Sequence, residues 1–414
     1  MIPLRIDEIA ALAPGALEAA PGVREVTGVQ VDSRRIRPGD LFVAVGRGGE
    51  FRQDALARGA AAALVPDDAF AAFAALGGAV RERSQARVVG ITGSTGKTST
   101  KDILAALCRP AARTVAAEAS FNNEIGVPLT LCRLEPETEV CILELAMRGF
   151  GQIADLCRIA RPDVGLITNV GPVHLELVGS PEGVLRAKSE LVAALPPGGT
   201  AIVPEGFPVE RDDVHVVLLI EPETEMQDDR TVVGGVSFNF QARHQAANAA
   251  AALAALDALG LPRPERVEIE FSRWRGEELP LPGGGLLIND SYNANPVSMR
   301  AALAHLSIRA GERRRVAVLG DMAELGPGAP AFHREIGEEV TRHGVGALVA
   351  VGELARGYLD GAAAVPVTRW APDASAAIPA VEEVVQPGDC VLVKASRAVG
   401  LDAVAEALTA VAAR

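Results

Sequence analysis

Residues 90–108, GITGSTGKTSTKDILAALC, run from the end of an apolar stretch through a glycine-rich turn into a helical pattern. This order constrains the fold more than any other feature of the chain. An apolar run that stops on glycine and continues as a helix is a βα unit, and such units assemble into parallel sheets covered by helices. The pattern recurs in EVCILELA (139–146) and DVGLITNV (163–170), two β-branched runs that end in turn residues and lead into helical segments. Between residues 88 and about 270 this alternation predicts a central α/β domain with a mostly parallel sheet and helices on both faces. The stretch FQARHQAANAAAALAALDALGL (240–261) predicts a long helix closed by Gly260 and Pro262.

Two further blocks flank this one. Residues 1–84 hold short strands in VTGVQVDS, DLFVAVG and AALV and a helix near FRQDALARGA, which predicts a small α/β domain. The polar-to-apolar change in RERSQARVVGIT marks its end. Residues 273–414 hold GLLINDSY, RRVAVLGDM, GALVAVG and DCVLVKAS with helical patterns between them, a second α/β unit of common domain size. PLPGGG (280–285) reads as a hairpin-like turn inside that unit.

Hydrophobic residues make up 49% of the chain but aromatics only 4%, so the cores must be filled by Leu, Val and Ala. The formal net charge of −13 argues against nucleic acid or an anionic membrane as partner. The five cysteines, Cys108, Cys132, Cys141, Cys157 and Cys390, are odd in number and form no C-x-x-C pair. That pattern suggests neither a disulfide framework nor a zinc site. No basic-then-apolar leader opens MIPLRIDEIAALAPG, and no run is long and apolar enough to span a membrane. A cytoplasmic, reduced setting and no membrane span are therefore expected.

The glycine turn carries the clearest chemistry. A Walker A loop, G-x-x-x-x-G-K-S/T, has a glycine where this chain has Ile91, which leaves the tighter Gly93-x-x-Gly96-Lys97-Thr98. The physics is unchanged. Glycines let backbone N–H groups approach phosphate oxygens, and the helix N-terminus adds positive potential. Gly93, Ser94, Thr95, Gly96, Lys97, Thr98 and Ser99 are the expected nucleotide cradle, with Lys97 on the outer phosphates and the Thr98 hydroxyl on Mg²⁺. Glu144 ends an apolar strand, where α/β proteins place ligand-facing residues. It reads as a hard-oxygen ligand for Mg²⁺ or as a helix cap or surface carboxylate. Thr168 and His174 follow the next strand end, and a lone histidine there is a ligand or a structural hydrogen bonder. Lys188 lies in the amphipathic EGVLRAKSELVAAL, where lysines usually reach out to water. In the last block, Asp290, Asn293 and Asn295 sit in a polar loop after a strand. Lys394, Ser396 and Arg397 form a potential anion-binding corner at another strand end.

In order along the chain, GITGSTGKTSTK, NNEIGVPLTL, LELAMRGFGQI, ITNVGPVHLELVGS, AKSEL, INDSYNANPVSM, VLGDMAELG with HREIGEEV, and VKASRAVGLDAV resemble the Mur ligase family of ATP-dependent amide-bond-forming enzymes. The resemblance runs from VDSRRIRPGDLFVAV almost to the last residue. It implies three domains: 1–84 for a UDP-sugar, 85–272 with a P-loop ATPase-like sheet, and 273–414, Rossmann-like, for an incoming dipeptide. Within the family, DSYNANPVSM and LGDMAELG point to the activity that joins D-alanyl-D-alanine to UDP-N-acetylmuramoyl-tripeptide. ATP and Mg²⁺ are the implied cofactors, and a monomer is expected.

The resemblance also assigns residues. Thr98, Glu144 and His174 match metal ligands, and Lys188 matches a lysine that is carbamylated and can then bind metal. Ser33 and Arg34 match contacts to the UDP part. Asn122, Asn123 and Glu124 match a loop facing the muramoyl-peptide, with Arg148 a further contact and Thr168 beside them. Asn248 matches an asparagine near adenine, and Arg275 and Asp290 match nucleotide contacts. Asn293, Asn295, Lys394, Ser396 and Arg397 are the candidates for the dipeptide.

The chain departs from the family in Trp274 and Ala395, both at positions where glycine is usual. It departs also in Gln245, Ala146 and Gln152, in RGGEFRQDAL after VAVG, and in its shortness around 206–235. The ATP and metal set is untouched. Competing readings are another Mur-type or folylpolyglutamate-type amide ligase, and a P-loop kinase or regulatory NTPase. The last has no need of a second α/β unit with several polar strand-end loops.

Overall fold

A computed structural model describes residues 1–227 and 229–412. The described residues pack into two compact units, one drawn from 1–169, 186–240 and 246–269, the other from 170–185, 241–245 and 270–412.

The first unit is organised around the predicted parallel sheet. Its six strands run in the order His215–Leu219, Thr200–Pro204, Val164–Ile167, Arg87–Thr92, Val140–Glu144 and Thr114–Ala116, all parallel. The central strands are apolar because both faces are covered: Val88, Val89, Ile91, Ile142, Leu143, Leu166 and Ile167 are fully buried. Arg87–Thr92 lies between Val140–Glu144 and Val164–Ile167, with Ile91 beside Glu144 and Thr92 beside Ile167. The carboxyl ends of these three neighbours therefore bring the glycine turn, Glu144 and Thr168 to one edge, the edge at which parallel sheets bind ligands.

The N-terminal residues of this unit form a four-stranded sheet, Gly15–Ala19, Ala62–Pro66, Asp40–Val43 and Gly28–Gln30. Leu41, Phe42, Val43 and Leu64 fill its core. A second four-stranded sheet joins Thr224–Gln227, Arg230–Val233, Val236–Phe238 and Arg266–Val267. The predicted alanine-rich helix runs over Arg243–Ala258.

The second unit holds a six-stranded sheet in the order Glu277–Leu281, Gly285–Asn289, Cys390–Lys394, Arg315–Gly320, Ala347–Val351 and Val367–Ala371. The first two strands form the antiparallel hairpin expected from PLPGGG, and the rest are parallel. Gly283, at φ +66°, turns this hairpin; a Cβ there would stand 2.7 Å from Pro387 Cβ. Asn295 caps the helix Pro296–Ala310. Its side chain accepts from Ser298 N while the Ser298 hydroxyl accepts from Asn295 N, and Pro296 occupies the first turn, where its missing N–H costs nothing.

All five cysteines are buried and free. Burial pushes the thiols of Cys108, Cys132, Cys141 and Cys157 up to about 12 and that of Cys390 to about 11, so none is a reactive thiolate.

Candidate active site

The glycine turn enters the helix Lys97–Cys108 through Gly96, which holds φ +78° and stands at the helix N-cap. A Cβ at Gly96 would lie 2.3 Å from Asn248 Oδ1, and one at Gly93 would lie 1.9 Å from Thr168 Oγ1. Both positions thus need glycine for space as well as for conformation. The turn is fastened to the adjacent strand end. Thr168 Oγ1 donates to Thr95 O at 2.6 Å, while Asn169 accepts from Thr95 N at 2.9 Å and donates to Thr95 Oγ1 at 2.7 Å. Asn169 is the main support of the loop, a role that spacing alone did not reveal. Residues 95–97 stay partly open to solvent, whereas Ser94, Thr98 and Ser99 are buried.

Lys97 Nζ donates to Gly93 O at 2.7 Å, so the ammonium reaches back over the turn. The Thr98 hydroxyl donates to Glu144 Oε2 at 2.8 Å, and Asn122 Nδ2 donates to Glu144 Oε1, also at 2.8 Å. Glu144 is only 1% exposed, which rules out the surface-carboxylate reading. A buried carboxylate and a hydroxyl, side by side next to a glycine turn, are the hard-oxygen donors that a magnesium ion shares with phosphates and waters. Among the described residues no group of three or more His, Cys, Asp or Glu side chains gathers as a metal cage. Thr92 Oγ1, at the start of the turn, is buried without a hydrogen-bond partner.

Lys188 corrects the expectation that it would reach water. It lies on the helix Pro181–Ala193 and is 2% exposed. Burial, and then the charge of Lys97, push its pKa well below the usual lysine range, so the folded state favours the free amine.

The remaining first-unit residues form supports and rims. Asn123 accepts from Gly126 N at 3.0 Å and so holds the start of the helix Gly126–Leu131, with Glu124 exposed beside it. Arg148 is exposed on a loop that Gln152 and Glu190 hold through backbone amides, including Gly151 N to Glu190 at 2.6 Å. Ser33 donates to Asp54 at 2.7 Å, and exposed Arg34 pairs with Asp32, whose pKa its hydrogen bonds bring down to about 2.

In the second unit, His174 adopts φ +53° and faces the Glu324 carboxylate, Nδ1 to Oε2 at 2.5 Å. Lys394, 2% exposed, donates to Asp290 at 2.5 Å and to Asn293 O at 2.9 Å. Ser396 Oγ accepts from Ala323 N at 2.9 Å. Lys394 and Ser396 are therefore engaged within the fold, and of the expected anion corner Arg397 is the member that stands half exposed. Arg275 lies over the Tyr292 ring at 3.9 Å, and Arg397 over the Trp274 ring at 4.4 Å.

This unit also holds a histidine pair that the sequence did not flag. His244 and His305 meet edge to face at 5.9 Å, and His305 Nε2 lies 3.2 Å from Glu278. Burial, with His305 adding to it, lowers His244 to about 4. The fold thus holds it neutral, while the unfolded chain gains a proton near 6.5. Its contribution is complete above pH 6.5 and is lost as the pH falls to about 4. Up to about 3 kcal/mol is at stake by linkage. In urea unfolding at pH 7.5 and 5, His244→Leu should shrink the stability lost between the two; an unchanged loss contradicts this.

Residues 91–218 match the Mur ligase middle domain, and residues 274–397 match the Mur ligase, glutamate ligase domain. A UDP-N-acetylmuramoyl-tripeptide–D-alanyl-D-alanine ligase of Synechocystis is 33% identical over 428 residues, covering 93% of this chain and 92% of the relative. Among solved structures, a crystal structure of MurF from Acinetobacter baumannii superposes with a TM-score of 0.83 at 27% identity, covering 99% of both chains. MurF ligase from Thermotoga maritima in complex with ADP does so with a TM-score of 0.78 at 26% identity, covering 92% of this chain and 97% of that one.

Proposed function

The chain belongs to the Mur ligase family, and on that footing we propose that it uses ATP to join D-alanyl-D-alanine to UDP-N-acetylmuramoyl-tripeptide through a new amide bond. The observation that carries this reading is the Thr98–Glu144 oxygen pair beside the Lys97 turn, in a chain that aligns over nearly its whole length with a ligase of that specificity.

The chemistry follows from the charges. A tripeptide carboxylate oxygen attacks the γ-phosphorus of ATP, the bond to the bridging oxygen breaks, and ADP leaves. The dipeptide amine then attacks the acyl phosphate carbonyl. Phosphate departs with the former carboxylate oxygen, and the amine proton goes to solvent or a base. Two anions meet in the first step, so the protein's work is positioning and electrostatic screening. The backbone amides of the 93–99 turn cradle the phosphates, and Lys97 meets the charge that builds on the transferred group. Asn248, packed on Gly96, flanks the base.

Thr98 and Glu144 suit Mg²⁺, which when bound neutralises phosphate charge. Lys188, as its carbamate, and His174 are further ligands in this reading. Burial shifts Lys188 toward the free amine, the form that adds to CO₂: the N–C bond forms, a proton leaves, and Lys97 stabilises the resulting anion. Ser33 and Arg34 take the UDP part, and Asn122, Asn123, Glu124, Arg148 and Thr168 the peptide side. Arg275 and Asp290 serve the nucleotide. Asn293, Asn295, Lys394, Ser396 and Arg397 serve the dipeptide. Residues 1–84, 85–272 and 273–414 act as sugar-nucleotide, ATP and dipeptide domains. Among the described residues no helix is long and apolar enough to cross a membrane, which suits a cytoplasmic enzyme, taken to be a monomer.

The test is phosphate release with ATP, Mg²⁺, UDP-N-acetylmuramoyl-tripeptide and D-alanyl-D-alanine, each omitted in turn. Steady release is expected only in the complete mixture. Equal release without both acceptors would instead support a plain NTPase.

A further inference from the structure

Trp274 holds a backbone conformation, φ +63°, that suits glycine and strains any residue with a side chain. The neighbouring backbone keeps it there: Tyr292 N donates to Trp274 O at 3.3 Å, Trp274 N lies 3.4 Å from Glu277 Oε2, and Gly276 N donates to Asn289 O at 3.1 Å. A bulky aromatic held in an unfavourable conformation calls for a use for its ring. The ring carries two guanidiniums, Arg397 at 4.4 Å and Arg273 at 5.4 Å.

Arg397 is the one that bears on chemistry. Of the three polar residues at the end of the strand Cys390–Lys394, Lys394 is engaged by Asp290 and Asn293 O, and Ser396 by Ala323 N. Among the described residues Arg397 is fixed at one nitrogen, Nη1 to Asp402 Oδ1 at 3.0 Å, and half of its side chain is exposed. A guanidinium fixed at one nitrogen and stacked on an aromatic face is restricted in its plane, yet keeps N–H donors at its free edge. Those donors match a carboxylate in two-pronged geometry.

We infer that Trp274 is a positioning residue for this reaction: its ring holds the Arg397 guanidinium in the orientation that receives the C-terminal carboxylate of the incoming dipeptide. The inference rests on the proposed ligase reading and on Arg397 as a dipeptide contact. Trp274 itself touches no reacting atom. Its effect is therefore confined to binding of the dipeptide.

The experiment is a double-mutant cycle on the full-length chain with Trp274→Gly, Trp274→Phe, Arg397→Gln and the Trp274→Gly/Arg397→Gln pair. KM for each of the three substrates, kcat and Tm are measured. Trp274→Gly should raise the dipeptide KM about 3- to 30-fold, the range of a cation–π contact. It should leave kcat and the KM values for ATP and the UDP-tripeptide within about 2-fold. Its Tm should hold or rise, because glycine relieves the strained φ, whereas a merely structural tryptophan would lower Tm on removal. Trp274→Phe should recover part of the dipeptide KM. Arg397→Gln should raise the same KM, and the double variant should add little to it. If Arg397→Gln raises the dipeptide KM and Trp274→Gly does not, or if Trp274→Gly lowers Tm and kcat together, the positioning role is wrong while the ligase reading stands. If Arg397→Gln leaves the dipeptide KM unchanged, the carboxylate contact is wrong and the inference goes with it, again without touching the ligase activity seen in the omission test.

Discussion

Lys97→Ala should lower kcat by at least about 10²–10³-fold, the scale on which removal of one preorganised charge stabiliser acts, while Tm stays within a few degrees of the parent. Two features of the structure separate activity from stability here. Lys97 Nζ meets a backbone carbonyl, Gly93 O, at 2.7 Å on a partly exposed turn, and contacts of that kind add little to folding. The turn is also fastened by Thr168 and Asn169 through Thr95, and those bonds remain in the variant. In the proposed reaction the ammonium, set over the turn, answers charge that appears as the carboxylate oxygen approaches the γ-phosphorus. Lys97→Arg should recover little, because a planar fork cannot replace a compact charge in so tight a turn. Phosphate release and circular dichroism on the same samples check both halves. Near-normal turnover in Lys97→Ala would remove the phosphate-loop argument.

Lys188→Ala should also cut turnover severely, by about 10²-fold or more on the same scale, and here chemistry can return what the mutation takes. A lysine that is 2% exposed with a strongly lowered pKa is costly to keep as an ammonium, and Lys97 raises that cost. Its free amine can add CO₂, and the same Lys97 charge then favours the anionic product. If Lys188 acts as a carbamate, acetate or formate added to Lys188→Ala should restore part of the activity. A carbamate resonance should also appear when the parent protein is supplied with ¹³C-bicarbonate, and should be missing from the variant. Full activity in Lys188→Ala, or a parent protein with no carbamate signal at saturating bicarbonate, would end the proposal.

Much of the architecture was legible in the chain because parallel strands buried on both faces must be written as uninterrupted apolar runs. RVVGIT, EVCILELA and DVGLITNV became three adjacent strands of one sheet, and PLPGGG became the hairpin turn it suggested. The glycine turn was legible because its physics demands particular residues: Gly93 and Gly96 have no room for a Cβ. Lys188 was misread because helix periodicity reports which face a residue occupies and not how deeply that face is covered. The bonds of Asn169, visible in the sequence only as a residue after a strand end, and the His244–His305 pair went unseen for a related reason. Their importance lies in partners distant in sequence, Asn169 with Thr95 and His244 with His305. Lys394 and Ser396 read as ligands for an anion, and within the fold they also meet Asp290 and Ala323 N, partners that residue type cannot reveal.

The most direct measurement follows an oxygen atom. The tripeptide substrate is prepared with ¹⁸O in its terminal carboxylate, turned over with ATP and D-alanyl-D-alanine, and the inorganic phosphate is analysed by mass spectrometry. Activation of the carboxylate at the γ-phosphorus requires that each phosphate released carry one oxygen from the peptide. Unlabelled phosphate formed alongside the amide product would contradict the account.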